Sequence, residues 1–141
     1  MIPKLNPDQS YLAIDYGAAK VGLARAGAVA RLPEPLPAVR MDKNLLVLIQ
    51  QLVIEQNIGL VIIGLPRNLR GEETPQTLEV RTFADQIKNH ISVPVVFADE
   101  SLSSKRADAY LNAHKKAAVD QDSIAACFIL QEFFTTMEGQ L

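Results

Sequence analysis

Two stretches, Tyr11-Leu-Ala-Ile-Asp-Tyr16 and Val21-Gly-Leu-Ala-Arg-Ala-Gly-Ala28, decide the fold of this 141-residue chain. Each is short, mostly apolar and bounded by turn-forming residues, so each predicts a strand. Because parallel strands need a crossover of a dozen residues or more, the short connection at 17–20 predicts an antiparallel hairpin. Prolines at alternate positions in 31–37 lack an amide donor, so this stretch is either an extended edge of the sheet or not a strand at all.

Helical and strand patterns then alternate. Asp42 can cap a first helix, and Thr74-Pro75 is a favourable start for a second. Continuously apolar stretches at 59–64 and 93–98 predict central strands covered on both faces. A polar loop is expected over 65–73.

The second helix is expected to bury Leu78, Phe83 and Ile87. A short helix over about 103–111 and a last helix from about residue 120, apolar on more than one side, complete the pattern. The order β-β-β-α-β-α-β-α-α predicts an α/β fold whose mixed sheet carries helices on its faces.

Composition limits the possible classes of protein. The chain has 14 basic and 16 acidic residues, a net charge of −2 and a pI of about 5.6, which argues against a protein that coats nucleic acid. We expect no membrane span and no secretory signal. Cys127 is the single cysteine, so an internal disulfide is excluded, and we expect an inert core residue in a cytoplasmic protein.

We expect a short flexible segment at 1–10, one domain over 11–137 and a tail at 138–141.

Three acids stand where predicted elements begin or end: Asp15 at the end of the first strand, Glu100 after the last strand, and Asp122 in the first turn of the last helix. Carboxyl ends of neighbouring parallel strands meet at one edge of a sheet, where ligands collect. Carboxylates brought together there would repel unless cations lie between them, and hard oxygen ligands suit Mg²⁺ or Mn²⁺. A pair of such ions is the usual arrangement for phosphodiester cleavage.

Each acid also has an ordinary structural interpretation. Asp15 can form a turn before Gly17, and Glu100 can favour the dipole of a following helix. Asp120 and Asp122 both suit a helix N-terminus. Spacing alone therefore leaves both the metal site and the structural roles open.

Five short sequence motifs resemble those of one family. They are Ile14-Asp-Tyr-Gly-Ala-Ala-Lys-Val-Gly-Leu-Ala24, Gly64-Leu-Pro-Arg-Asn-Leu-Arg-Gly71, Val80-Arg-Thr-Phe-Ala84, Asp99-Glu-Ser-Leu-Ser-Ser104 and Asp122-Ser-Ile-Ala-Ala126. In this order they resemble the YqgF/RuvX family over most of residues 11–134.

The resemblance implies an RNase H-like fold and a metal-dependent nuclease, earlier labelled a Holliday-junction resolvase and linked chiefly to maturation of the 5′ end of 16S ribosomal RNA. The family's acidic residues correspond to Asp15, Glu100 and Asp122, with Asp120 a rival for the third place. Two positions depart from the family pattern, because Ser101 and Val21 stand where basic residues are expected, and Ser101 removes a possible contact with phosphate.

Basic and polar residues surround the expected carboxyl edge. We expect contacts with phosphate from Lys20 in the opening motif and from Arg67, Asn68 and Arg70 in the Gly-Leu-Pro loop. The same role is predicted for Lys105 and Arg106, with Lys115 and Lys116 further candidates. For any one of them, ordinary solvated surface is the alternative.

The leading hypothesis is a metal-dependent endonuclease acting on structured or precursor ribosomal RNA, as a monomer or weak homodimer, with a pair of Mg²⁺ or Mn²⁺ ions. A Holliday-junction resolvase acting on branched DNA is the rival enzyme, and cutting symmetric strands would require a dimer. A non-catalytic nucleic-acid-binding factor in transcription or ribosome assembly is the alternative class. An actin-like or hexokinase-like ATPase ranks last, because the chain leaves no room for a second lobe.

Overall fold

The elements follow the predicted order. A computed structural model describes residues 2–101, 105–114 and 121–139, with backbone alone at 100, 101, 105–107, 138 and 139. Its elements are β1 (Ser10–Tyr16), β2 (Lys20–Gly27), β3 (Glu34–Arg40), α1 (Leu45–Glu55), β4 (Ile58–Arg67), α2 (Pro75–Lys88), β5 (Val95–Ser101), α3 (Lys105–Ala113) and α4 (Gln121–Gly139).

The five strands form one mixed sheet in the order β3-β2-β1-β4-β5. β1 is antiparallel to β2 and parallel to β4, and β4 is parallel to β5. The predicted hairpin, the mixed sheet and the central place of β4 are confirmed. The prediction that 93–98 forms a central strand is wrong, because β5 lies at an edge. A run of apolar residues indicates that both faces of a strand are covered. It does not indicate whether the strand has another strand on each side.

β3 is the other edge of the sheet, and its prolines suit that place. The carbonyl group of Leu36 points inward and accepts a hydrogen bond from Ser123. Because backbone groups alternate in direction along a strand, the nitrogens of Pro35 and Pro37 face outward, where no strand pairs. The missing donors therefore cost no ladder hydrogen bond, and the edge-strand interpretation of this segment is confirmed.

The sheet has a core on each face, and strand alternation decides which residue enters which core. Leu12 and Ile14 of β1 pack with α1 and α2 on one face, whereas Tyr11 and Ala13 pack against α4 on the other. Cys127 lies buried in the α4 core, as expected. None of the described helices is long and apolar enough to cross a membrane.

Residues before β1 contact the folded domain. The amide of Ala28 donates to the carbonyl of Gln9 over 2.9 Å, and Ile2 and Leu5 pack against the core on the α4 face. The domain boundaries given above stay a prediction.

Local details differ from the sequence expectations. Asn44, and not Asp42, is the N-cap of α1, and the Asp42 carboxylate accepts a hydrogen bond from the Asn44 amide over 2.8 Å. The loop expected at 65–73 begins only at Asn68, because β4 continues through Arg67 beside β5. Leu78 is 60% exposed, and the buried Thr77 lies inward instead.

Thr77 is buried because it belongs to a capping box. The Thr77 amide donates to the Thr74 hydroxyl, the Thr74 amide donates to the Thr77 hydroxyl over 2.9 Å, and the Thr77 hydroxyl donates to the Pro66 carbonyl. A polar side chain thus replaces an apolar one on the inward side of the first turn of α2.

We expect Thr74→Ala to lower the free energy of unfolding by about 1 kcal/mol, because the first turn of α2 loses a side-chain cap. Chemical denaturation monitored by circular dichroism measures the change. Thr82→Ala, an exposed position in the same helix, is the matched control and should change stability little. Equal losses in the two variants would contradict a capping role for Thr74.

Candidate metal and nucleic-acid site

Asp15 lies at the carboxyl end of β1, on the face of the sheet covered by α4. It follows Tyr11 and Ala13 in the strand alternation and stands directly opposite Gly22 of β2. A Cβ atom on Gly22 would overlap the carbonyl group of Asp122 and lie 2.9 Å from the amide nitrogen of Ser123. The missing side chain at Gly22 therefore lets the first turn of α4 approach the sheet beside Asp15.

The two acids brought together in this way differ in environment. The carboxyl group of Asp15 is half-buried, whereas Asp122 is exposed. Burial, and then the negative charge of Asp122, raises the pKa of Asp15 from 3.8 to about 7. The fold therefore holds a carboxylate in an environment that disfavours its charge.

The third predicted acid, Glu100, lies in β5 with its backbone paired to Pro66 of β4. Alternation along β5 puts position 100 on the same face as Val96 and Ala98, which pack toward α4. The side chain of Glu100 lies outside the described residues. β1 and β5 are separated by β4 alone, so their backbones are about 10 Å apart.

Little side-chain bulk fills the sheet between these two strands. Ala13 of β1 pairs with Ile62 of β4, so Asp15, two residues further on, lies beside Gly64. Gly64 in turn pairs with Ala98 of β5. A hydrogen atom and a methyl group therefore occupy the positions on the α4 face between Asp15 and the end of β5. Little side-chain bulk from the sheet therefore lies beside the half-buried carboxyl group of Asp15.

The donors at this end of the sheet suit a hard divalent cation. Carboxylate oxygens are the ligands that Mg²⁺ and Mn²⁺ prefer, and a cation would favour the charged form that burial disfavours. Among residues whose side chains are described, no three histidine, cysteine or acidic residues form a group able to hold a metal ion. Asp15 and Asp122 are thus the acids among the described side chains that this end of the sheet brings together.

Lys20 is the predicted phosphate contact that lies beside this pair. It begins β2 two residues before Gly22, so alternation puts it on the α4 face, and its side chain is exposed. This places a positive charge at the edge where β1 ends, one residue after Asp15.

Arg67 lies on the opposite face. Its Nε atom is 3.1 Å from Oδ1 of Asp99 in a charge contact without hydrogen-bond geometry, and its Nη1 atom donates to the carbonyl of Gly71 over 3.1 Å. Position 67 alternates with Gly64 and Pro66, so the sheet separates its side chain from Asp15. Through these contacts Arg67 connects the end of β4 to β5 and to the loop that follows β4.

Asn68 also serves the shape of that loop. Its side-chain oxygen accepts hydrogen bonds from the amides of Arg70 and Glu72, each over 2.9 Å. Gly71, with φ of 76°, closes the turn in a conformation that favours glycine. Arg70 itself is exposed at the tip.

Several predicted site residues lie outside the described residues. They are Asp120, Lys115 and Lys116, together with the side chains of Lys105, Arg106 and Ser101. The choice between Asp120 and Asp122 as the third predicted acid therefore stays open, and only Asp122 can be placed beside Asp15.

Val21 explains one departure from the family motif. Its side chain is fully buried on the α1 and α2 face, opposite Tyr16 of β1. A charged side chain there would have to enter the core, so valine suits this chain's packing.

Gly22 and Ser123 contribute to the site, although the sequence does not single them out. Both lie inside recognised motifs, but Gly22 has no side chain and Ser123 carries no charge. The available signal is the glycine itself, because glycine inside a strand often marks close approach of another backbone.

Comparison with known proteins gives the family. The model of the family described as "RuvX: Holliday junction resolvase" matches residues 9–136. The chain belongs to this family. A relative from Chloroflexus aurantiacus is 37% identical over 134 residues, covering 89% of this chain and 86% of the relative. One from Bordetella pertussis is 32% identical over 133 residues, covering 93% and 97%. Both are named, provisionally, as pre-16S rRNA nucleases.

Solved structures show the fold. RuvC from T. thermophilus, in complex with a Holliday junction substrate, superposes with a TM-score of 0.58 at 12% identity, covering 92% of this chain and 96% of that one. The fowlpox virus Holliday junction resolvase has a TM-score of 0.54 at 16% identity, covering 94% and 100%. The predicted family, the RNase H-like fold and the assignment to a family of nucleases are confirmed.

Proposed function

We propose that this family member is a metal-dependent endonuclease that acts in 5′-end maturation of pre-16S ribosomal RNA. The observation that carries the proposal is the pairing of Asp15 with Asp122 at the carboxyl end of β1, where burial and mutual repulsion raise the pKa of Asp15. Holding two mutually repelling acids close together does not stabilise the fold. Binding of a cation would account for their being held together.

Asp15, Glu100 and Asp122 would hold Mg²⁺ or Mn²⁺ at this edge. When bound, such ions activate water and stabilise the leaving oxygen of a phosphodiester. Asp15 contributes a carboxylate fixed by β1, and Asp122 contributes one fixed by the first turn of α4. Lys20 lies at the same edge and would neutralise a substrate phosphate.

Precursor ribosomal RNA is the proposed substrate because relatives covered over 86% and 97% of their length carry that name. The resolvases among the structural neighbours are below 25% identical and support the fold alone. Branched DNA is the second candidate, since the family description names a resolvase. The proposal includes a cytoplasmic location, where ribosomal precursors are processed, and a monomer or weak homodimer.

The test is a cleavage assay with pre-16S RNA and with four-way DNA junctions, each in Mn²⁺ or in EDTA. We expect Mn²⁺-dependent cutting of the RNA near its 5′ extension and no cutting in EDTA. Preferential cutting of junctions would replace the RNA proposal by a resolvase. Binding of RNA without cleavage of either substrate would favour a non-catalytic factor in ribosome assembly or transcription.

A further inference from the structure

We propose that Ser123 is a positioning residue that sets the Asp122 carboxylate against Asp15, and this inference rests on the proposed metal site. Ser123 is fully buried, and it directly follows Asp122 in the first turn of α4. Its hydroxyl group takes part in two hydrogen bonds, both to the backbone of the sheet. A helix residue is thereby joined to two strands at once.

The hydroxyl completes the ladder between β2 and β3. Leu23 of β2 and Leu36 of β3 are register partners, and the register shifts just before Leu23, beside Gly22. The Ser123 oxygen accepts from the Leu23 amide over 3.3 Å and donates to the Leu36 carbonyl over 2.6 Å. Ser123 thus lies between the two partner residues and satisfies one backbone group of each.

Two independent contacts then fix the start of α4. Gly22 allows the Asp122 carbonyl to lie against β2, and the adjacent Ser123 side chain bonds to β2 and β3. Because Gly22 is the cross-strand neighbour of Asp15, these contacts define the position of Asp122 relative to Asp15. The hydrogen bonds of Ser123 are directional, whereas the hydrophobic attraction further along α4 is not.

Replacing Ser123 with alanine should therefore loosen the first turn of α4 while leaving the core of the helix intact. The Leu23 amide and the Leu36 carbonyl would lose their common partner. Groups that orient metal ligands from the outer shell typically change metal affinity by about 10- to 100-fold when removed. We expect Ser123→Ala to weaken Mn²⁺ binding by about tenfold or more.

The experiment measures Mn²⁺ binding to the full chain without nucleic acid, by the paramagnetic resonance signal of free Mn²⁺. Ile129→Ala is the control, because Ile129 is buried on the same helix and its loss destabilises the core by opening a cavity. Melting temperatures of both variants are recorded, so that affinities are compared at temperatures equally far below each midpoint. Should Ser123→Ala fail to fold, Ser123→Cys replaces the hydroxyl by a weak donor of similar shape, with the same expected direction.

The expected result is weakened Mn²⁺ binding in the Ser123 variant and wild-type affinity in the Ile129 variant. Equal affinities in all folded proteins, or an equal loss in both variants, would overturn the positioning role. Absence of Mn²⁺ binding by the wild-type chain would instead overturn the metal site itself, so the two failures are distinguishable.

Discussion

Replacing Asp15 with asparagine is expected to reduce metal-dependent cleavage by at least about a thousandfold and to raise the stability of the metal-free protein. The loss follows because an amide carries no charge to hold a cation, and stabilisation of developing charge is usually the largest contribution to such catalysis. The gain follows because the variant removes a charge that burial and Asp122 both disfavour. Opposite effects on activity and stability distinguish a functional acid from a structural one.

The gain in stability should depend on pH. The pKa of Asp15 is about 7 in the folded chain, against an ordinary value of 3.8 that applies to the unfolded chain, so the folded chain binds more protons between these values. Stability contributed by the protonated form is complete below about pH 4 and is lost as the pH rises through about 7. Relative to wild type, Asp15→Asn should therefore gain nothing at pH 4. At pH 8 the full shift in the pKa of Asp15 would correspond to about 4 kcal/mol, and solvent screening of this half-buried carboxyl group reduces the expected gain to on the order of 2 kcal/mol, or about 5 °C in melting temperature.

Asp85→Asn is the matched control, since Asp85 is exposed on α2 away from β1. It should leave the cleavage rate unchanged and shift the melting temperature by less than about 2 °C. Melting in EDTA at both pH values, together with single-turnover cleavage in Mn²⁺, gives the measurements. An Asp15→Asn protein that cuts RNA at the wild-type rate would remove Asp15 from the site.

Replacing Gly22 with alanine is expected to cause a large loss of stability. The added Cβ would meet the Asp122 carbonyl and the Ser123 amide, both of them backbone groups that cannot rotate away. Overpacking of this kind costs about 3 kcal/mol or more, which lowers the melting temperature by roughly 10 °C. Cleavage should fall as well, because relief of the overlap moves α4 away from Asp15.

Gly27→Ala provides the control within the same strand. No atom lies within 4 Å of the position that a Cβ would take at Gly27, so this variant should fold with wild-type stability. Thermal melting and Mn²⁺ binding of both variants measure the difference. If the two alanine variants were equally stable, the close approach of α4 to β2 would be refuted.

Much of the fold follows from local patterns in the chain. Alternation and short connections predict the hairpin of β1 and β2, and the β-branched run at 59–64 predicts the central place of β4. The same reasoning fails for β5, because burial on two faces is compatible with an edge. It also fails for Leu78, where the capping box turns Thr77 inward and leaves an apolar side chain in solvent.

The candidate site is only partly visible in the sequence. Asp15 and Asp122 are predicted from their places at the ends of elements, and the fold brings them to one face. Position near the carboxyl edge of the sheet also predicts that Arg67 belongs to the site. Because side chains alternate between the two faces of a strand, however, Arg67 lies on the face opposite Asp15. The contact between Gly22 and Asp122 joins positions 100 residues apart, and no local pattern reports on such a contact.

The position of α4 along the chain has a consequence for the timing of activity during synthesis. β1, the first strand, supplies Asp15, whereas α4, the last helix, supplies Asp122 and also packs against the sheet in the core of one face. A nascent chain on the ribosome therefore carries half of the proposed site until α4 has emerged and docked.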